Sequence, residues 1–334
     1  MTDATLAMNA RALKEKRELS FAQKGLFVGA QSGFLWGLAG VLMGVALGKG
    51  PMTLGKTIFT APLVGVVLHD FFASIGVFVY NWKTGRSKEI FRSLRTRPGW
   101  IVCLAAIFGG PVAMSGYLLG IDMAGPAYAM GISALFPVFG AVMAQLFLKE
   151  KISRQAWIGI MLCVVGSIVL GYTPPESGAN PHFYLGIGLA LVAALGWGIE
   201  GVIATFGMDM VDSTVAINLR ETTSWVTTLV LVLPFVSGLP LLGQAIRSPS
   251  VLGIIALAGL VGGFSYLFYY KSFNMCGVGR SMALNMTYVI WGVILSFFFT
   301  DTAITTTLVT GSVLITLGGI LVVANPKELL NLRG

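Results

Sequence analysis

The sequence predicts an all-α polytopic membrane protein with ten transmembrane helices arranged as two inverted five-helix repeats. Three observations predict it. The composition is too apolar for a soluble domain, ten apolar runs are flanked by unequally distributed cations, and an internal repeat divides those runs five and five.

Of 334 residues, 55% are hydrophobic and only 11% are charged, with a mean hydropathy of +0.82. Soluble domains carry about 25% charged residues. The 22 Lys and Arg against 14 Asp and Glu follow from topology and call for no nucleic acid. Cys103, Cys163 and Cys276 fall in or beside apolar runs without metal or redox spacing, so they are expected to be packing residues. No cofactor and no metal is expected. The first 25 residues are charged and lack an apolar core, so no cleavable signal peptide is expected.

The apolar runs cover residues 26–47, 57–81, 99–119, 127–148, 156–172, 183–206, 214–237, 250–272, 281–300 and 305–324. About 20 residues at about 1.5 Å each cross a hydrocarbon core of about 30 Å. With the N-terminus inside and the runs alternating, the inside segments hold eighteen Lys and Arg and the outside loops three, Lys49, Lys56 and Arg247. Arg220 lies within the seventh run. The positive-inside rule predicts this asymmetry and places both termini in the cytoplasm of a cell (inner) membrane protein. Residues 1–25 form a cytoplasmic segment, with 12–19 expected as a short amphipathic helix on the membrane surface. Residues 325–334 form a cytoplasmic tail.

The repeat is visible around two tryptophans. Trp36-Gly37 in the first run aligns with Trp197-Gly198 in the sixth, and His69-Asp70 in the second run corresponds to Arg220-Glu221 in the seventh. Residues 130–166 align without gaps to 282–318 at an offset of 152, matching Gly140 with Gly292, Gly159 with Gly311 and Phe139 with Trp291. The halves are 26–172 and 183–324. An odd number of spans per repeat forces opposite insertion, an arrangement typical of secondary transporters with a site between the repeats. Pro62, Pro111, Pro137 and Pro234 interrupt helices, and Gly109-Gly110-Pro111 predicts a strong break.

These residues resemble the drug/metabolite transporter superfamily, specifically its EamA-type members. The resemblance is clearest from Pro137 to Glu150 and at Gly159 and Gly166. The second half departs from the pattern, with Val289 for the proline and Thr302 for the glutamate. The Trp-Gly-Ile-Glu-Gly stretch and the His-Asp pair are also similar to bacterial choline-type importers of that superfamily. The resemblance implies a central cavity faced by the first, third, fourth, sixth, eighth and ninth spans, and no ATPase part. It also implies that the second and seventh spans lie nearer the periphery.

Glu200 sits mid-run and three residues from Trp197, so the two share a helix face. An acid at the bilayer centre costs roughly 2.5–3.5 kcal/mol on insertion scales, so it faces a cavity or a partner. The cavity-facing spans carry Trp36, Tyr117, Tyr128, Phe136, Trp197, Tyr266, Tyr269, Tyr270, Tyr288 and Trp291. Tyr266, Tyr269 and Tyr270 share a face by their spacing, as do Tyr288 and Trp291, with Asn285 near Tyr288. Aromatics around one carboxylate suit a quaternary or tertiary ammonium ion, each ring face contributing about 2 kcal/mol when dry. Aromatics near helix ends instead form interfacial belts, the role expected of Tyr80, Trp82, Trp100, Trp157, Tyr172, Tyr184 and Tyr270. His69, Asp70, Arg220 and Glu221 are either coupling groups for a driving proton or structural ion pairs.

The expectation is a secondary transporter of a small, choline-like organic cation, with Glu200 as counter-charge and Trp36, Trp197, Tyr266, Tyr269, Asn285, Tyr288, Trp291 and Tyr117 around the substrate. The alternatives are an exporter of amino acids or amphipathic metabolites and, from another class, a membrane scaffold or enzyme. The expected partners are a small-molecule substrate and the lipid bilayer. Transport direction, coupling ion and oligomeric state are not specified by the sequence.

Overall fold

The computed structural model describes residues 3–124, 129, 132–149, 151–171, 182–300 and 306–323. These are helical, with no strand among the described residues. The helices are α1 (Asp3–Leu47), α2 (Thr60–Lys83), α3 (Ser87–Ser93), α4 (Arg97–Ile107), α5 (Ser115–Ala124), α6 (Phe136–Met143), α7 (Arg154–Gly171), α8 (Phe183–Met208), α9 (Ser213–Thr227), α10 (Leu239–Ile246), α11 (Pro249–Cys276), α12 (Val278–Asn285), α13 (Tyr288–Thr300) and α14 (Thr306–Val323).

Among the described residues, six stretches are long and apolar enough to cross a bilayer: Ala12–Leu47, Thr60–Lys83, Arg97–Met123, Phe183–Met208, Pro249–Cys276 and Val278–Leu295. A seventh, Ser213–Val236, bends by 118° into Leu239–Ile246. The other expected runs correspond to shorter apolar helices, Phe136–Leu148, Arg154–Val169 and Val309–Val322. The chain is therefore a multi-pass helical membrane protein.

Three local expectations are corrected. Residues 12–19 are not a separate surface helix, because α1 runs unbroken from Asp3 to Leu47. The sequence there lacks the Gly or Pro that would end a turn. Gly109-Gly110-Pro111 does not break its span. The helix passes through a π-helical segment, Phe108–Met114, that absorbs Pro111 and continues into α5. Tyr270 is not a belt residue, being fully buried. Trp82, Trp100 and Tyr184 are exposed, and Tyr128 and Tyr172 lie outside the described residues.

Close packing repeats itself across the two halves. A Cβ on Gly37 would meet the carbonyl of Tyr288, the Cβ of Trp291 and the amide of Gly292. A Cβ on Gly198 would meet the carbonyl of Phe136, the Cβ of Phe139 and the amide of Gly140. The contacted atoms are the same in kind, and the contacted residues are 152 apart. Between α7 and α14, Gly159 touches Gly318 and Gly166 touches Gly311, pairs that the same offset exchanges. At their midpoint Cys163 Sγ donates to the carbonyl of Ile315, 152 residues on. Small residues let these backbones approach, the usual device where lipid supplies no hydrophobic drive.

Gly318→Leu would push a side chain into Cys163 Sγ and the Gly159 carbonyl. Overpacking of this kind costs about 1–3 kcal/mol. Gly319, next in sequence, meets nothing within 4 Å. Thermal unfolding in detergent should therefore show a lower midpoint for Gly318→Leu and an unchanged one for Gly319→Leu. Equal shifts would show that the α7–α14 contact is not packed as described.

Candidate functional site

The site has an aromatic cavity and, behind it, a buried charge cluster. The cavity is lined by Trp36, Phe136, Trp197, Ser265, Tyr266, Tyr269, Asn285 and Tyr288. They come from α1, α6, α8, α11, α12 and α13. Trp36 and Trp197 meet edge to face, with centroids 6.2 Å apart at 86°. Trp36 also packs on Tyr266 at 5.0 Å, and Trp197 on Phe136 at 6.0 Å. The open space is about 20 Å³, room for about one water and not for an organic molecule. The rings are closed on one another in this state.

Tyr117 is buried behind this wall and touches Trp197 at 5.2 Å. Asn285 donates through Nδ2 to Ser32 Oγ at 2.9 Å, and Ser265 Oγ donates to the Ser32 carbonyl at 2.7 Å. Tyr288 Oη pairs with Ser133 Oγ at 3.0 Å. Two polar atoms of the lining, Trp197 Nε1 and Tyr269 Oη, are buried without a hydrogen-bond partner. Trp291 lies elsewhere. It is 36% exposed and packs edge-on against Phe34 at 5.2 Å, because α13 turns that face outward while Tyr288 turns inward.

Glu200 is buried and does not line the cavity. Arg220 Nε donates to Glu200 Oε1 at 2.7 Å, and Tyr270 Oη donates to the same oxygen at 3.0 Å. Gly109 of the π-helical segment leaves the room its carboxylate fills, since any Cβ there would collide with it. Arg220 Nη1 donates to Glu221 Oε2 at 3.1 Å and lies 3.8 Å from Asp70 Oδ2. Its Nη2 donates to Tyr266 Oη at 3.0 Å, and Cζ stands 4.1 Å from the Tyr266 ring centroid. Asp70 accepts from His69 Nδ1 at 2.8 Å and from Ser224 Oγ at 2.5 Å. His69, Asp70, Arg220 and Glu221 are all buried, so α2 and α9 turn these side chains inward.

The cluster thus holds three carboxylates against one guanidinium and one imidazole. Burying charge is favourable only when it is paired and hydrogen-bonded. Arginine suits the role because its fork presents five N–H donors and does not deprotonate. Ser224 and Ser265 escaped the sequence reading, although Ser224 sits four residues from Arg220 and Ser265 next to Tyr266. That spacing was the available signal.

Apolar helices closed around an aromatic cavity with buried charge behind it define a membrane transporter. The chain belongs to the EamA-like transporter family, which matches residues 23–172 and again 184–324. Protein LicB of Haemophilus influenzae is 30% identical over 277 residues, 82% of this chain and 88% of LicB. Uncharacterized transporters of two Helicobacter pylori strains are 22% identical over 227 residues, covering 64% of this chain and 70% of theirs. A crystal structure 18% identical in sequence aligns at a TM-score of 0.67, over 90% of this chain and 97% of its own, a likeness of fold alone.

Arg220→Met strands three carboxylates, and breaking a buried pair this way costs about 3–5 kcal/mol. Glu200→Gln should cost less, because Arg220 keeps Glu221, Asp70 and Tyr266. Denaturant or thermal unfolding of the two variants should rank them in that order. Equal losses would show that Arg220 anchors Glu200 alone.

Proposed function

We propose that the protein is a secondary transporter of a small organic cation, a choline-like quaternary or tertiary amine, in a cell (inner) membrane. The carrying observation is the cavity of Trp36, Phe136, Trp197, Tyr266, Tyr269 and Tyr288 backed by a cluster with more carboxylates than cations. Ring faces attract an ammonium group without requiring hydrogen-bond donors from it. Asp70, Glu200 and Glu221 supply negative potential that Arg220 only partly cancels. Glu200 is the counter-charge on this reading, since its helix also presents Trp197 and its guanidinium partner lies over Tyr266. Tyr117 buttresses Trp197, and Asn285 offers a polar edge.

The same residues serve alternating access. The two family matches, the glycine contacts at an offset of 152 and the facing of Trp36 by Trp197 support ten helices in two inverted repeats, 26–172 and 183–324. On this topology both termini are cytoplasmic. The closed cavity is then an occluded state, and opening separates the two tryptophans toward one side or the other.

A second reading has one observation in its favour. Trp197 Nε1 and Tyr269 Oη are buried without a partner, and both would donate to a ligand oxygen while leaving the amine to the rings. A choline-like hydroxyl fits them, and so does the carboxylate of an amino acid handled by an exporter.

Thermal shifts of the purified protein against choline, betaine, other amines and amino acids separate the two. Quaternary amines should stabilise selectively. Glu200→Gln should weaken a permanently charged amine by about tenfold, about 1.4 kcal/mol, and a neutral isostere much less. Trp197→Leu should do the same, with the ligand shift read from that variant's own unliganded midpoint, which loss of a buried ring lowers. Stabilisation by amino acids alone would replace the cation with the second reading.

A further inference from the structure

The loop between α2 and α4 carries a surface that neither the cavity nor the charge cluster uses. Its short helix α3 packs inward through Ile90 and touches α2, α4 and α9. Arg86, at its start, is tied to Asp212 at 3.6 Å. The outer side is different. Trp82 (64% exposed), Phe91 (64%) and Trp100 (65%) stand out from the surface together with Leu94. Lys83, Lys88, Arg92, Arg95 and Arg97 are exposed among them. From residue 82 to residue 100 the one carboxylate is Glu89, and none of these five cations forms an ion pair among the described residues.

The protein contains its own comparison. The helix α10 begins 152 residues after α3 and joins α9 to α11 as α3 joins α2 to α4. It too is short and exposes large apolar residues, Leu239 and Ile246, with Phe235 just before it. Yet residues 234–252 carry a single cation, Arg247, and no acid. A connecting helix of this shape therefore folds without the cations. Those on α3 and its flanks are therefore set by the side of the membrane they face and not by the needs of the helix.

We propose that α3 and its flanks form a docking surface for anionic phospholipid headgroups of the cytoplasmic leaflet. Rings seated at the acyl boundary with cations beside them at phosphate level match the two layers of such a leaflet. A soluble anion would need the cations and not the three exposed rings. The side of the membrane rests on the topology proposed above, and the lipid chemistry does not.

The test uses the full chain in detergent, with lipid retention read by native mass spectrometry. Wild type offered equal phosphatidylglycerol and phosphatidylcholine should retain several-fold more of the anionic lipid. The triple variant Lys88→Gln, Arg92→Gln, Arg95→Gln should lose that preference, and Arg247→Gln should keep it. Should the triple variant fail to fold, wild type in about 0.5 M salt provides the same reading, since screening at that strength suppresses exposed charge. No preference in wild type, or one that survives both the variant and the salt, would overturn the proposal. Retention of an acidic protein in place of lipid would also overturn it. The amine thermal shift is read on the same samples. Its loss with lipid preference intact would fault the substrate and not this surface.

Discussion

The Arg220 guanidinium is the constraint around which the buried part of this protein is arranged. It is fully buried, and every charged or polar group that surrounds it comes from a different direction: Glu200 from α8, Glu221 from its own helix α9, Asp70 from α2 and Tyr266 from α11. A guanidinium cannot shed its proton to escape burial, so it fixes the positions of its acceptors. Moving any one of these four helices leaves either a charge or a hydroxyl without a partner, which in a low-dielectric interior is costly. Glu200 in turn depends on Gly109, where no side chain blocks its carboxylate, and Asp70 depends on Ser224, which packs against Gly110. The glycines and the arginine are one device.

That device is lopsided, and the backbone around it is not. Gly109 meets Glu200 and Gly110 meets Ser224. On the opposite side Gly262 meets His69 and Ala39, and Gly263 meets Ala73. In the sequence, Trp36 precedes Ala39 as Trp197 precedes Glu200, and His69-Asp70 stands three residues before Ala73 as Arg220-Glu221 stands before Ser224. The packing is thus repeated with different chemistry: alanine for glutamate, histidine for arginine, alanine for serine. A repeated scaffold supplies two matching walls, and divergence of a few side chains puts the charge behind one of them.

How far the sequence could be read follows from which forces act along one helix and which act between helices. Spacing along α11 and α12–α13 was enough to name Tyr266, Tyr269, Asn285 and Tyr288, because side chains three and four apart share a face. The tryptophan pair was legible because the repeat placed Trp36 and Trp197 at equivalent positions. What escaped was pairing across helices. Nothing along the chain says that Arg220 turns to Glu200 twenty residues before it and not only to its neighbour Glu221. Nor does spacing say which end of a short aromatic stripe faces in, which is why Tyr270 was expected at the interface and Trp291 in the cavity. The apolar runs were legible, while helix length depends on where capping and bends fall, and Pro234 lies in the short turn of helix before the 118° bend.

The closed cavity gives the last step. Arg220 stands over the Tyr266 ring at 4.1 Å and holds Glu200 at 2.7 Å. An internal cation therefore already occupies one face of a ring whose residue lines the cavity, and it already pairs with the carboxylate on the helix that carries Trp197. A cationic ligand cannot take that face or that carboxylate without displacing Arg220, which is held by three acceptors. It gains instead from the rings that remain, Trp36, Trp197, Tyr269 and Tyr288, and from the negative charge that one arginine leaves uncompensated. Binding on those terms is long-range in its electrostatics and short-range in its shape. If the ligand is the cation we propose, these terms favour a compact one with diffuse charge over a primary ammonium that needs a carboxylate at hydrogen-bond distance, because the geometry reserves that carboxylate for Arg220.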